Sequence, residues 1–237
     1  MTSAVFFDLD GTLLDGSSFP ESIVRTCEAV AVRNPALKAA DLIAANNEIW
    51  PKFWSEIGYE WSLGTLDESD VTLEAWRRTL SACDCEDESL MAFAKEAHDR
   101  FGREAHRFFD DVVEVVEALL EARIPLALIT NGASQTQRDK VRALGIEGWF
   151  EALIISGEVG KTKPDASLFR MALEQLNVPA EDVWHVGDSL ANDVAGAQAA
   201  GVKAAWINRD GYTIESGDPV PDIEVRSLGD LLALLER

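Results

Sequence analysis

The 237-residue chain predicts an α/β fold, a mostly parallel sheet covered on both faces by helices and interrupted by an inserted α-helical domain. Three observations carry this expectation. Short apolar runs that stop at polar, often glycine-bearing turns recur along the chain and alternate with amphipathic helical stretches. The span from about Gly16 to Gly102 breaks the alternation, offering helical periodicity and no strand run. Hydrophobic residues make up 47% of the chain, enough to bury a sizeable core at this length.

Each element has its own justification. Ala4–Phe7 is a short apolar run ending at an acidic turn, the pattern of a strand buried on both faces of a parallel sheet. The runs Ile124–Ile129, Ala152–Ile155, Val183–Val186 and Lys203–Ile207 repeat it. Between them, Asp111–Ala122, Ser134–Leu144, Asp165–Leu176 and Leu190–Ala200 carry helical patterns, and Leu228–Leu235 reads as a closing helix. Within the insert, three sets share helical faces: Ile23, Cys27 and Val30; Leu73, Trp76 and Leu80; Leu90, Phe93, Ala97 and Phe101. Trp50, Trp54, Trp61 and Trp76 also fall there, and are expected to pack its small core, the alternative being that some face the active site. Domain boundaries follow, with 1–15 and 103–237 forming the sheet core and 16–102 the helical domain.

Charge and cysteine usage exclude several classes. Forty-two acidic against 21 basic residues leave a net charge of −21, without a basic patch, which argues against nucleic acid or anionic membrane surfaces as partners. No apolar run is long enough to span a bilayer, and MTSAVFFDLD reads as a strand rather than a signal peptide. Cys27, Cys83 and Cys85 offer neither an even count nor metal-site spacing. A cytoplasmic protein is expected.

The sharpest local signal is Asp8-Leu9-Asp10-Gly11-Thr12. Two carboxylates two residues apart just past a buried strand repel each other unless a cation or a proton relieves them. Gly11 permits a sharp turn, whose exposed amides could receive phosphate oxygens. A solvated acidic turn is the alternative. Gly187-Asp188-Ser189-Leu190-Ala191-Asn192-Asp193 ends a second strand with further carboxylates. Should the sheet place Asp188 beside Asp8 and Asp10, the oxygen set would suit Mg²⁺. Asp193 is either an anion favoured by a helix terminus or a carboxylate that orients its neighbours.

These motifs, with Thr130-Asn131-Gly132 and Lys163-Pro164 in order between them, resemble the haloacid dehalogenase (HAD) superfamily, in its branch with a helical cap inserted after the first motif. The resemblance covers nearly the whole chain, and is loose only between Gly16 and Gly102. It implies a Rossmann-like core and a Mg²⁺-dependent phosphatase acting on a small phosphorylated metabolite. In that mechanism Asp8 attacks phosphorus to form an aspartyl-phosphate, and Asp10 protonates the leaving oxygen and then deprotonates water. Asp8, the main-chain carbonyl of Asp10, and Asp188 hold the metal, with Asp193 behind them. Thr130, Asn131 and Gly132 bind the phosphoryl group, and Lys163 balances its charge. Dehalogenase members of the family attack carbon and lack the second Asp, so Asp10 favours phosphate chemistry; a phosphosugar mutase or a non-catalytic binding protein also remains open.

Arg25, Arg77, Arg78, His98 and His106 are candidate contacts for a leaving group, although each also reads as an ordinary solvated side chain. His185, inside an apolar strand, reads as a core histidine. Gly160-Lys161-Thr162 mimics the tail of a nucleotide-binding loop, but the glycine such a loop needs five residues earlier is Ile155. Lys163, restrained by Pro164 at the first position of the next helix, is therefore expected to handle phosphate, and Lys161 to be solvated.

Overall fold

Four consecutive apolar residues open the sheet, and β1 (Ala4–Phe7) is buried along its whole length. Alternation sends Val5 and Phe7 to one apolar layer and Ala4 and Phe6 to the other, so both faces of the strand need cover. The computed structural model describes residues 2–235. In it the chain up to Asp15 and from Arg107 onward forms one compact unit, and Gly16–His106 forms another.

Continuing along the chain, the sheet unit adds the two-residue strand β2 (Leu14–Asp15). The helical unit follows as α1 (Phe19–Arg33), α2 (Ala39–Ser62), α3 (Glu68–Ser81) and α4 (Glu88–Ala105). Two of its helices, α3 and α4, start where the sequence supplies acceptors: Asp67 takes the Ser69 amide, and Asp87 those of Ser89 and Leu90. Ile23, Cys27, Val30, Trp76, Leu80 and Leu90 form its core. Two expectations fail here. Leu73 and Trp54 are 36% and 43% exposed, so neither helps fill that core. Gly102 is no boundary residue either, because α4 runs through it to Ala105 and buries it.

The sheet unit resumes with β3 (Arg107–Phe108), which pairs antiparallel with β2 and adds an Arg107–Asp15 ion pair at 2.8 Å. Then come α5 (Val112–Glu121), β4 (Leu126–Thr130), α6 (Ser134–Leu144), β5 (Ala152–Ile155), α7 (Ser156–Val159) and α8 (Ala166–Leu176). β6 (Val183–Gly187), α9 (Ala195–Ala199), β7 (Lys203–Ile207), β8 (Ile223–Val225) and α10 (Leu228–Leu235) complete the chain. The predicted helix from Leu190 begins instead as a π-helical turn, Leu190–Val194, before α9.

The six-stranded sheet runs β5-β4-β1-β6-β7-β8, parallel throughout. Valines and leucines of α5 and α10 cover one face, and Leu168, Phe169 and Ala197 of α8 and α9 cover the other. The chain builds outward from β1 through β4 to β5, then returns to β1's other side with β6. That reversal is a topological switch point, and the carboxyl ends of β1, β4 and β6 meet there. Among the described residues, no helix is long and apolar enough to cross a membrane.

Candidate functional site

Asp8 follows the last residue of β1, and its amide donates to Val186 O of β6 at 2.9 Å, which carries the strand register into the site. Its carboxylate is buried and lies 2.6 Å from Lys163 Nζ. Lys163, itself 3% exposed, spends all three ammonium protons: on Asp8 Oδ1, on Asp193 Oδ1 at 2.6 Å, and on Ile129 O at 2.9 Å. Its main chain is clamped by Asn131, whose Oδ1 accepts from Lys163 N at 2.8 Å and whose Nδ2 donates to Lys163 O at 3.1 Å. The Lys163–Pro164 peptide is cis. Pro164 does not begin the helix as expected; Asp165 caps it by accepting from Ser167 N, and α8 starts at Ala166. Lys161 lies away from this network, half exposed and paired with Asp165 at 3.2 Å.

Asp193 sits on the π-helical turn and is 2% exposed. Besides Lys163, it accepts from Ser189 N at 3.1 Å and contacts His185 Nε2 at 2.9 Å. His185 is thus no inert core residue. Burial above all holds its pKa below the ordinary value, so the ring is neutral. An ionised carboxylate can only accept, which assigns the proton to Nε2 and leaves Nδ1 as a buried acceptor without a partner. Gly187 makes the arrangement possible, since a Cβ there would fall on the Asp193 carboxyl group.

Asp188 follows β6 and faces solvent, its main-chain oxygen fixed by Trp206 Nε1 at 2.7 Å. Carboxylate oxygens of Asp8, Asp188 and Asp193 lie within 4.8 Å of one another. Gly11 matters here twice: its φ of 83° favours glycine, and a Cβ would collide with the Asp188 carboxylate. One ammonium cannot satisfy three carboxylates. Asp193 takes the larger share, as burial, which would raise its pKa, is outweighed by Lys163 and His185. Lys163 is held above its usual range because Asp193 and Asp8 outweigh its burial. Asp8 is the group left over: burial, Asp193 and Asp188 overcome Lys163 and push it up to about 8. Burial and Asp193 likewise push Asp188 up to about 6.

Thr130, at the end of β4, is buried, and its Oγ1 accepts from Gln137 Nε2 at 2.5 Å. The Gly132 amide, expected to face a phosphoryl group, donates instead to Ser156 Oγ at 2.8 Å and so ties two loops together. Asp10 turns its carboxylate toward α6, where Lys140 Nζ lies 2.8 and 2.9 Å from its two oxygens and Gln137 Nε2 lies 2.9 Å from Oδ2. The sequence reading missed Gln137 and Lys140. Their three-residue spacing put them on one helical face, but no pattern tied that face to Asp10.

Within the helical unit, Arg25 pairs with Glu104, Arg77 with Glu74, and Arg78 with Glu56 and Glu74. These carboxylates already occupy the three arginines proposed as leaving-group contacts. His98 lies among the rings of Phe19, Trp50 and Trp76, and burial pushes it down to about 4.

A family model for haloacid dehalogenase-like hydrolases matches residues 2–201. The N-acylneuraminate-9-phosphatase of Mus musculus is 30% identical over 238 residues, which span 98% of this chain and 93% of that protein. A 2-haloacid dehalogenase from Pseudomonas syringae pv. Tomato DC3000 superposes with a TM-score of 0.69 at 29% identity, covering 100% of this chain and 99% of the other. The HAD-hydrolase YfnB from Bacillus subtilis, solved bound to magnesium, gives a TM-score of 0.72 at 25% identity over 100% and 99% of the two chains. With the motif residues gathered at the switch point and the family match running from residue 2 to residue 201, the chain belongs to the haloacid dehalogenase-like hydrolases.

Proposed function

We propose that this hydrolase is a Mg²⁺-dependent phosphatase, cleaving a small phosphate monoester through an aspartyl-phosphate on Asp8. The observation that carries the reading is the excess of carboxylate around Asp8: three acidic groups share the single ammonium of Lys163. Alone, that balance raises the pKa of Asp8, through burial and the neighbouring carboxylates, and weakens it as a nucleophile. The carboxylates of Asp8 and Asp188 are the residues that would hold a divalent cation, whose charge would favour the ionised form of Asp8, so the residues fit the metal. Hard oxygen donors on a solvent-facing edge also match what Mg²⁺ takes. When bound, the ion would neutralise phosphate charge and help expose phosphorus to attack.

The chain's own residues do the rest. Lys163 fixes one Asp8 oxygen, Oδ1, while the other has only a 3.4 Å contact from Thr12 Oγ1. Asp193, anchored by His185 and Ser189, keeps Lys163 charged and in place. Thr130 and the Asn131 amide receive phosphoryl oxygens. Asp10 gives its proton to the leaving oxygen as the ester P–O bond breaks, then accepts one from the water that attacks the aspartyl-phosphate. The helical unit serves as the cap that selects the leaving group and limits water.

The likeness to a 2-haloacid dehalogenase defines the competing reaction, and Asp10 weighs against it, since displacement at carbon needs no such acid. The experiment is a release assay with Mg²⁺ over a panel of phosphate esters and 2-chloropropionate, with Asp8→Asn as control. Phosphate release abolished by EDTA and by Asp8→Asn is expected. Halide release without phosphate release would establish the dehalogenase instead, and turnover retained in Asp8→Asn would remove the covalent intermediate.

A further inference from the structure

Resting on the phosphatase reading, we propose that Gln137 and Lys140 are positioning residues that aim the Asp10 carboxylate and couple it to the phosphate-binding Thr130. The two lie three residues apart in α6, hence on one face of the helix. Lys140 contacts both Asp10 oxygens almost symmetrically, at 2.8 and 2.9 Å, which sets the direction in which the carboxylate points, and the Gln137 contact to Oδ2 alone restricts its rotation. Gln137 adds a third donor from a fully buried position.

The chemistry of the amide settles what Gln137 does. Its NH₂ group has two protons, and its two acceptors, Asp10 Oδ2 and Thr130 Oγ1, take one each. Both acceptors lie within hydrogen-bond reach of the amide nitrogen, at 2.9 Å for Asp10 Oδ2 and 2.5 Å for Thr130 Oγ1, which sets the orientation of the amide. Because Thr130 Oγ1 accepts from Gln137, its own O–H proton remains for another acceptor, which in the proposed reaction is a phosphoryl oxygen. One side chain thereby orients the hydroxyl that binds phosphate and the carboxylate that moves the proton. The arrangement has a cost: Gln137 Oε1 is buried with no partner. An apolar side chain of the same size would avoid that orphan, so the glutamine is present for what its nitrogen donates.

The proton inventory of the reaction shows why aim matters. In the first half Asp10 loses a proton to the departing alkoxide or phenoxide as the Asp8–phosphorus bond forms. In the second it regains one from water as that bond breaks and phosphate leaves. Both transfers need the same carboxylate within hydrogen-bond reach of a different oxygen.

The test compares wild type, Lys140→Met, Lys140→Arg, Gln137→Met and Asp10→Asn, with Mg²⁺, on phenyl phosphate and p-nitrophenyl phosphate. Phenoxide needs protonation far more than p-nitrophenoxide does. Lys140→Met and Gln137→Met are expected to lower kcat about 10- to 100-fold on phenyl phosphate, with a several-fold smaller loss on p-nitrophenyl phosphate. Gln137→Met should also raise KM through Thr130, whereas Lys140→Met should leave KM near wild type. Lys140→Arg, which keeps the positive charge beside Asp10 but not the shape of the donor, should recover part of the lost turnover. In the Asp10→Asn background, Lys140→Met should cause no further loss. Equal losses on both esters, additive loss with Asp10→Asn, or unchanged kcat in folded Lys140→Met would each overturn the proposal. Lys140→Arg and Gln137→Met decide it if Lys140→Met does not fold. Wild type that releases no phosphate from either ester would sink the phosphatase reading itself, whereas active wild type with indifferent variants sinks only this one.

Discussion

A single methyl group at Gly187 should dismantle the buried charge network. Gly187 ends β6, and a Cβ built there overlaps the Cβ, Cγ and Oδ2 atoms of Asp193. Nothing in a well-packed strand end can yield at the main chain, so Asp193 must move. Overpacking of this kind costs about 1–3 kcal/mol by itself. The displaced carboxylate also gives up Lys163, His185 and the Ser189 amide, leaving a buried ammonium with one carboxylate partner in place of two. Breaking a buried ion pair from one side costs about 3–5 kcal/mol, so Gly187→Ala should lose at least that lower figure. For a chain of this length that is a drop of about 6–20 °C in the melting of the sheet unit. Turnover should fall on the order of 10²-fold, as a displaced Lys163 no longer aims Asp8. Gly148→Ala is the control, because a Cβ there meets nothing within 4 Å, and it should melt and turn over as wild type. The assay is a thermal melt followed by circular dichroism, paired with phosphate release under saturating ester. If Gly187→Ala melts with wild type and keeps its activity, Asp193 does not pack against β6, and the network built on it is wrong.

The other predictions are quicker to state. Lys163→Ala should cost about 10²–10³ in kcat while Lys161→Ala stays within about twofold, and the reverse order would make Lys161 the functional lysine. His185→Phe keeps the ring but removes the donor to Asp193, and should destabilise by about 1–3 kcal/mol and lower kcat; unchanged melting and turnover would return His185 to an ordinary core role. In the helical unit, hydrogen bonding from Arg77, against partial burial and with help from Arg78, holds Glu74 at about 2 in place of its usual 4.5. Its folded pKa is the lower one, so the stability it adds is present above pH 4.5 and is lost as pH falls toward 2. The pair is partly exposed, so Glu74→Gln should remove only about 0.2–1 kcal/mol, and only at the upper end of an acid series of urea melts. A difference that persists unchanged at pH 2 would show that packing, not charge, is the source.

Much of the sheet was legible because burial on both faces leaves a plain mark. Ala4–Phe7, Ala152–Ile155 and Lys203–Ile207 are observed with the predicted bounds, and Ser134–Leu144 is a helix from end to end. What escaped was short or set by partners. The β2–β3 ribbon is two residues on each side and holds by pairing across a gap of about ninety residues, which no local pattern records. β8 is an edge strand of three residues, Ile223–Val225, with only Val225 fully buried, so its apolar signal is weak. Leu190–Val194 reads as ordinary helix in composition; its wider π turn is closed through the Ser189 main-chain carbonyl, which accepts from Asp193 and Val194.

The site divides along the same line. Asp8, Thr130, Lys163 and Asp188 could be picked out because each stands at or just beyond the end of a strand or the start of a helix, where the chain itself announces a change. His185, Gln137 and Lys140 stand inside elements, and their positions are ambiguous in one dimension. A histidine at the middle of VWHVG satisfies the same burial as any apolar residue there, and only the π turn folding back over β6 brings Asp193 to its Nε2. Gln137 and Lys140 lie on a helix whose other residues are mostly solvated, so amphipathic reading assigns them to the wet face. Yet Gln137 is fully buried and the Lys140 side chain is only 16% exposed, because both reach to the Asp10 carboxylate rather than into water. The candidate site residues at strand ends are thus declared by local sequence, whereas those that hold them in place are declared only by contact. A site read from motifs alone is therefore missing its supports, which in this chain include the Gln137 and Lys140 contacts that hold Asp10.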